Sequence, residues 1–342
     1  MNREPAPARL VHKGAVSFGL FDAPVREMNI REAAQYRGAG RLRFKQWIGF
    51  AIEHAHWHVC VFMLDAGYLA SATVYAHHRA SGRSVRRACV FPPGGGRLAD
   101  TLLQGRCDFA SPGFHLAMEC RADRGYHNLE AFAPELPGLP GMRLHLALEQ
   151  DMARVAPLVA SLPLTRGRTM YTHKAPMPAR GRMRVGGDRF EFEPDRDIAI
   201  MDEHRSFLHG PVRWTWCTCA GFTPGGHVAG INLGDHETIA DQRAHGENCV
   251  WSAAGCDMLG PAAFDFNPRH PARPWRMRTH DGRAALVFLP QGRMAENHGL
   301  GPVRMDYYQM SGRFYGTAVD GAGREIAVHG FPGVAERMNA VF

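Results

Sequence analysis

Lysine is almost missing from this chain: Lys13, Lys45 and Lys174 stand against 37 arginines. The formal charge of +7 therefore rests on arginine, and its distribution decides what it implies. Proteins that grip nucleic acid or an anionic membrane gather their cations in runs or on one face. Here no run of five or more Lys or Arg occurs, and acids lie between the arginines throughout, so no nucleic-acid partner is expected. Also lacking is any stretch of about 18 uninterrupted apolar residues, the length a helix needs to cross a bilayer, and no transmembrane segment is expected. The opening "MNREPAPARLVHKGAV" has no apolar core followed by a small-residue cleavage site, which points to a cytoplasmic protein without a secretory leader. The eight cysteines (60, 89, 107, 120, 217, 219, 249, 256) include no C-x-x-C. That spacing matches neither a disulfide framework nor a common zinc site, and reduced thiols fit it. Cys217 and Cys219 would share one strand face, which permits a soft-metal site without arguing for one.

Helical periodicity is scarce as well. The two best helical stretches are short, "REAAQYRGAG" (31–40) and "DMARVAPLVASL" (151–162). What fills the chain instead is alternation of apolar and polar residues, cut into short segments by 38 glycines and 23 prolines, the pattern of antiparallel strands joined by turns. "RMRVGGDRFEFEPD" (182–195) reads as a hairpin about a Gly-Gly turn. "MRLHLALEQD" (142–151), "PVRWTWCTCAGF" (211–222), "HVAGINLGD" (227–235) and "GRAALVFLPQG" (282–292) read as strands. A mostly-β chain of 342 residues must stack two sheets or close two barrels, because one small barrel uses roughly 100 to 180 residues. The alternation pauses over 157–176, so the expected division is an N-terminal segment (1–40), a first barrel or sandwich (41–160) and a second (161–342). Oligomeric state is not legible.

Five segments in order, "GAVSFGLFDAPVREMN" (14–29), "THKAP" (172–176), "MDEHRSF…RWTWCTCAG" (201–221), "GINLGD" (230–235) and "ENCVW" (247–251), resemble the bacterial proteins grouped as domain of unknown function family 2804. An acidic motif before a Trp-rich strand and then a glycine-broken strand is more distantly similar to carotenoid 1,2-hydratases, tocopherol cyclases and lipocalin-like Diels–Alderases. That likeness implies an all-β fold of two lipocalin-like antiparallel barrels packed side by side. It also implies an apolar or amphipathic small-molecule partner (a lipid, isoprenoid or polyketide-like compound) in a cavity within or between the barrels. The implied chemistry is hydration, cyclisation or isomerisation with no bound cofactor.

The residues that would carry such chemistry cluster in the second half. Asp202, Glu203 and His204 precede the Trp-rich strand; a carboxylic acid in an apolar pocket keeps its proton toward neutral pH, and a neighbouring His can orient or relay it. Asp202 is the first choice as acid and His204 the second, against the alternative that Asp202 caps a turn or pairs with Arg213 or Arg205. Trp214 and Trp216 point to one face, either filling a core or stacking on a ligand. Lys174, beside His173, stands where arginine is the rule, and a compact ammonium there suits a buried carboxylate, an interdomain salt bridge or a ligand oxygen. Asn232, Glu247 and Asn248 are internal hydrogen-bonding posts or ligand contacts. "HAHWH" would place His54, His56 and His58 on one strand face with His77 and His78 nearby, a metal alternative weakened because three such positions span about 13 Å. A non-catalytic carrier of the same ligand class is the other reading.

Overall fold

The structure, a computed structural model, describes residues 3–300 and 303–341. Its first sheet has thirteen strands. Across it run Ser84–Phe91, Ala70–His78, Trp57–Asp65, Phe44–Glu53, Ile198–Phe207, Arg168–Val185, Met142–Glu149, Tyr126–Ala133, Phe114–Arg121 and Gly105–Ser111, each antiparallel to its neighbour. Leu158–Leu164, Asp188–Phe192 and Gly19–Phe21 pair off this path. The sheet curls on itself, so that Phe91 from one end meets Phe109 from the other with ring centroids 5.7 Å apart. Alternate residues such as Ile48, Phe50 and Ile52, or Leu144, Leu146 and Leu148, fill the enclosed core, as a side-chain period of two requires.

The second sheet has nine strands, in the order Gly255–Met258, Cys249–Ser252, Val228–His236, Pro211–Phe222, Glu325–Val341, Val303–Val319, Ala284–Leu300, Trp275–Thr279 and Ala262–Asp265. It too curls around a core, built on Ile231, Leu233, Trp275, Phe288 and Phe314. The protein is thus all-β with two curled antiparallel sheets, and its α-helix among the described residues is the single turn Gly40–Arg43.

Two local readings change. "REAAQYRGAG" forms the 3-10 turns Ile30–Glu32 and Ala34–Tyr36. "DMARVAPLVASL" leads into the strand Leu158–Leu164, which is hydrogen-bonded on both sides, to Arg168–Val185 and to Gly19–Phe21. A short apolar run buried on both faces has no amphipathic period, so strand and helix look alike until its partners are known. The chain passes from one sheet to the other between Phe207 and Pro211, where Gly210 takes φ +72°, a left-handed turn that glycine adopts without strain. The stretch 157–176, where alternation lapses, lies inside the first sheet.

The two sheets meet through their outer faces. Three small apolar groups each mix residues of both: Ala51 with Trp216 and Val334, Ile198 and Ile200 with Ala220, and Cys60 and Tyr75 with Met294. The strand Ile198–Phe207 lies mid-sheet, hydrogen-bonded to Arg168–Val185 on one side and Phe44–Glu53 on the other, which makes the outer face of this strand the floor of the seam.

Candidate functional site

Strand alternation sorts the predicted residues into two groups. On Ile198–Phe207, Met201 belongs to the core of the first sheet and Glu203 and Arg205 point the same way, while Asp202, His204 and Ser206 point to the seam. On Arg168–Val185, His173 shares the interior face with Ala175 and Met177, and Lys174 faces outward. The register sets Lys174 directly opposite Asp202 and His204 opposite Trp47. In the second sheet Cys217 and Cys219 lie in the core, which leaves Trp214 and Trp216 facing the first sheet. The tryptophans therefore wall the seam and do not fill the interior of the second sheet.

At the seam the Lys174 ammonium, 3 % exposed, pairs with Asp202 Oδ1 and lies 3.4 Å from Glu247 Oε2, with the Trp216 ring centroid at 4.6 Å. Neither Arg205 nor Arg213 is the partner of Asp202. The other Asp202 oxygen accepts a hydrogen bond from Trp47 Nε1 at 3.0 Å. Trp47 stacks on His204 (4.0 Å, 3°) and, offset, on Trp214 (6.2 Å, 20°). Trp214 Nε1 in turn donates to Glu336 Oε1 at 2.9 Å, and Glu336 Oε2 accepts from Tyr307 OH at 2.6 Å and Gln309 Nε2 at 3.1 Å. The stacked indoles thus each hold one carboxyl, Asp202 on the first sheet and Glu336 on the second.

Glu247 and Asn232 anchor the second side. Glu247 Oε1 bonds His236 Nε2 at 2.8 Å; Asn232 accepts from Trp216 Nε1 at 2.9 Å and donates to the Glu247 carbonyl at 2.8 Å. Asn248 accepts from Gly234 N at 2.6 Å and donates to Gly260 O at 3.0 Å, so each asparagine is held by one bond accepted and one donated. Gly234 is needed here: a Cβ would lie 2.8 Å from His236 Nε2 and 3.0 Å from Glu247 Oε1.

The charges do not balance, and the imbalance has consequences. Burial opposes the charge on Lys174, but Asp202 and Glu247 outweigh it and raise its pKa. Burial likewise opposes ionisation of Glu247, and Lys174 and His236 overcome it, holding the carboxyl well below its usual range. Glu336 has no ion pair among the described residues: burial pushes it up, its three hydrogen bonds pull against that, and the charge of Asp202 adds to the rise. Burial lowers His204 to about 3, and this neutral ring is bonded to Ser206 Oγ, not to Asp202.

The remaining predicted residues lie elsewhere. Glu203 and His173 belong to a network inside the first sheet, with His173 Nδ1 3.4 Å from Glu203 Oε2, Glu203 on Arg205 at 2.9 Å, and Gln150 Nε2 donating to His173 Nε2 at 2.9 Å. "HAHWH" is not one strand face, because strands end at Glu53 and restart at Trp57. His58 bonds Glu53 at 3.0 Å, and His54 packs on Phe190 and Phe192. Among the described residues no group of three or more His, Cys, Asp or Glu side chains is placed to hold a metal ion, and the eight cysteines are free.

Trp47, Glu336, Tyr307 and His236 escaped the sequence reading. Trp47 and Glu336 each sit on an alternating strand without a neighbouring motif, and only the pairing of distant strands makes them part of one site. Two clefts, of about 440 Å³ beside Gln150 and about 510 Å³ beside His54, lie away from the seam. The seam is reached where Trp47, Asp202, Trp214, Tyr307 and Gln309 are partly exposed.

Comparison with solved structures places the chain near a crystal structure of kievitone hydratase from Nectria haematococca (TM-score 0.52, 9% identity, 87% of this chain and 88% of that one). A crystal structure of CghA with Sch210972 is similar too (TM-score 0.51, 10% identity, 87% and 88%). At such identities the likeness is one of fold. No curated protein matches the chain. A family model matches residues 3–342, and the chain belongs to the family described as a domain of unknown function (DUF2804).

Proposed function

We propose that the seam binds an apolar or amphipathic small molecule, of lipid, isoprenoid or polyketide-like character, and catalyses its hydration, cyclisation or isomerisation by proton transfer. The observation that carries this reading is the pair of carboxyls on stacked indoles. Asp202 faces an ammonium, whereas Glu336 is buried with its pKa raised. A buried carboxyl with a raised pKa can serve as a general acid, and an ion-paired carboxylate beside it can accept a proton. Glu336 is the donor and Asp202 the acceptor in this assignment, which moves the acid from the residue the sequence favoured. The faces of Trp47 and Trp214 lie beside both and favour a developing cation. The fold shared with kievitone hydratase supports the reaction class.

A carrier without turnover is the second reading, favoured by Lys174, which ties Asp202 of one sheet to Glu247 of the other and so gives the polar residues a purely cohesive role. Native mass spectrometry of freshly purified protein, followed by organic extraction, identifies a retained compound. That compound is then incubated with wild type, Glu336→Gln and Asp202→Asn. Conversion by wild type that both variants lose, with retention unchanged, is the expected result. Retention without conversion by wild type selects the carrier, and retention of no organic compound removes both readings.

A further inference from the structure

The histidine cluster that the seam leaves unused lies at one end of the first sheet. Three turns meet there: 54–56 between Phe44–Glu53 and Trp57–Asp65, the turn after Ala70–His78, and the Gly186-Gly187 hairpin. They enclose the cleft of about 510 Å³, whose lining includes His54, Trp57, His78, Arg83, Arg189 and Phe190. We propose that this cleft binds the oxyanion of a small molecule, a carboxylate or a phosphate, and not a metal ion.

The Nδ1 atom of His54 accepts the backbone N–H of His56 at 3.2 Å; Nδ1 of His78 accepts the backbone N–H of Ser81 at 3.2 Å and lies 2.9 Å from Ser81 Oγ, a hydroxyl that can donate to the same lone pair. A backbone N–H only donates, so each Nδ1 presents a lone pair and each neutral ring carries its proton on Nε2. A metal needs a bare ring nitrogen, and in both rings the bare one is already taken. What the rings offer the cleft is N–H. The ring of His54 stays neutral near pH 7, since burial, then His56, Arg196 and Arg79, lower its pKa to about 4.

Two guanidiniums complete the donor set. Arg83 pairs with Asp188, the one acid in the lining, and Arg189 has no ion pair among the described residues. The cleft therefore has two guanidiniums, one carboxylate and the ring N–H groups of His54 and His78, a match for carboxylate or phosphate oxygens. Trp57 and Phe190 stack at 5.2 Å and 5°, and Arg83 lies over Trp57 at 5.4 Å. Phe190, half-buried against Trp57, gives the cleft an apolar wall that suits an anion borne on an apolar body.

The test is isothermal titration of the full chain with inorganic phosphate and with benzoate at constant ionic strength, repeated on Arg189→Gln. Arg189 is exposed, and its replacement should leave thermal unfolding unchanged while weakening binding by about tenfold or more, the loss of one charge-assisted contact. Preference for phosphate identifies a phosphate ester as the ligand class, and preference for benzoate an aryl or acyl carboxylate. Imidazole nitrogen NMR should show His54 and His78 protonated at Nε2. The proposal is overturned by saturable binding of neither probe, by equal binding to wild type and Arg189→Gln, or by stoichiometric zinc that His54→Asn abolishes.

Discussion

Replacing Lys174 by methionine keeps most of the side-chain volume and removes the ammonium that lies between Asp202 and Glu247. In wild type, one positive charge faces two carboxylates, of which Glu247 is 1 % exposed and Asp202 21 %. Without it, among the described residues, the Glu247 carboxylate keeps His236 and Asp202 keeps the Trp47 N–H. Removing one partner of a buried ion pair costs about 3 to 5 kcal/mol, because the partner left behind is a buried charge without compensation. Asp202→Asn is the contrasting perturbation. It leaves Lys174 with Glu247 and removes a carboxylate that water already reaches, so screening brings its cost down to about 1 kcal/mol.

Urea unfolding followed by tryptophan fluorescence reads both, since Trp47, Trp214 and Trp216 all border the site. The expected order is Lys174→Met far below Asp202→Asn, with the double variant less damaged than the two losses added, because a neutral Asn no longer needs the ammonium. The pH dependence has a definite sign. Glu247 has a depressed folded pKa, so the stability it contributes is present above its unfolded value and is lost as pH falls through the folded one. Lys174→Met removes that contribution, and the gap between variant and wild type should narrow as the medium is acidified below the ordinary carboxylate range. Lys174→Met no less stable than Asp202→Asn at neutral pH would refute the charge argument.

Three further outcomes follow from the same contacts. His204 is lowered from 6.5 to about 3 by burial, so the stability of its neutral form is present above pH 6.5 and is lost as pH falls from there; acidification from about pH 7 to 4.5 should remove about 2 to 3 kcal/mol through this ring, and His204→Gln should flatten that part of a stability profile against pH. Gly234→Ala would set a Cβ within 3.0 Å of both His236 Nε2 and Glu247 Oε1, and calorimetry should register a loss of about 1 to 3 kcal/mol from the forced shift. Trp47→Phe keeps a ring against His204 and removes the N–H to Asp202, for which denaturant titration should show a loss of about 1 kcal/mol beyond the change in packing.

Alternation was the readable part of this chain because it depends only on neighbours. The strands Met142–Glu149 and Pro211–Phe222 and the Gly-Gly hairpin stand close to where the residue pattern placed them. The same rule, applied strictly, already divides "MDEHRSF": Asp202 and His204 share a face that Glu203 cannot share, and Lys174 and His173 part company in the same way. What local pattern cannot supply is the partner across the seam. Trp47 and Glu336 are single polar-tipped residues on alternating strands near opposite ends of the chain, and they become a site only when Ile198–Phe207 pairs with Phe44–Glu53 and Pro211–Phe222 pairs with Glu325–Val341. Conspicuous residues misled for the converse reason. Three histidines spaced by two suggest a strand face, yet the intervening turn sends His58 to Glu53 and His54 to the cleft rim. Lys174, one of three lysines among 37 arginines, proved the better signal: a compact ammonium with three donors fits between Asp202, Glu247 and the face of Trp216, a place a planar guanidinium would fill differently.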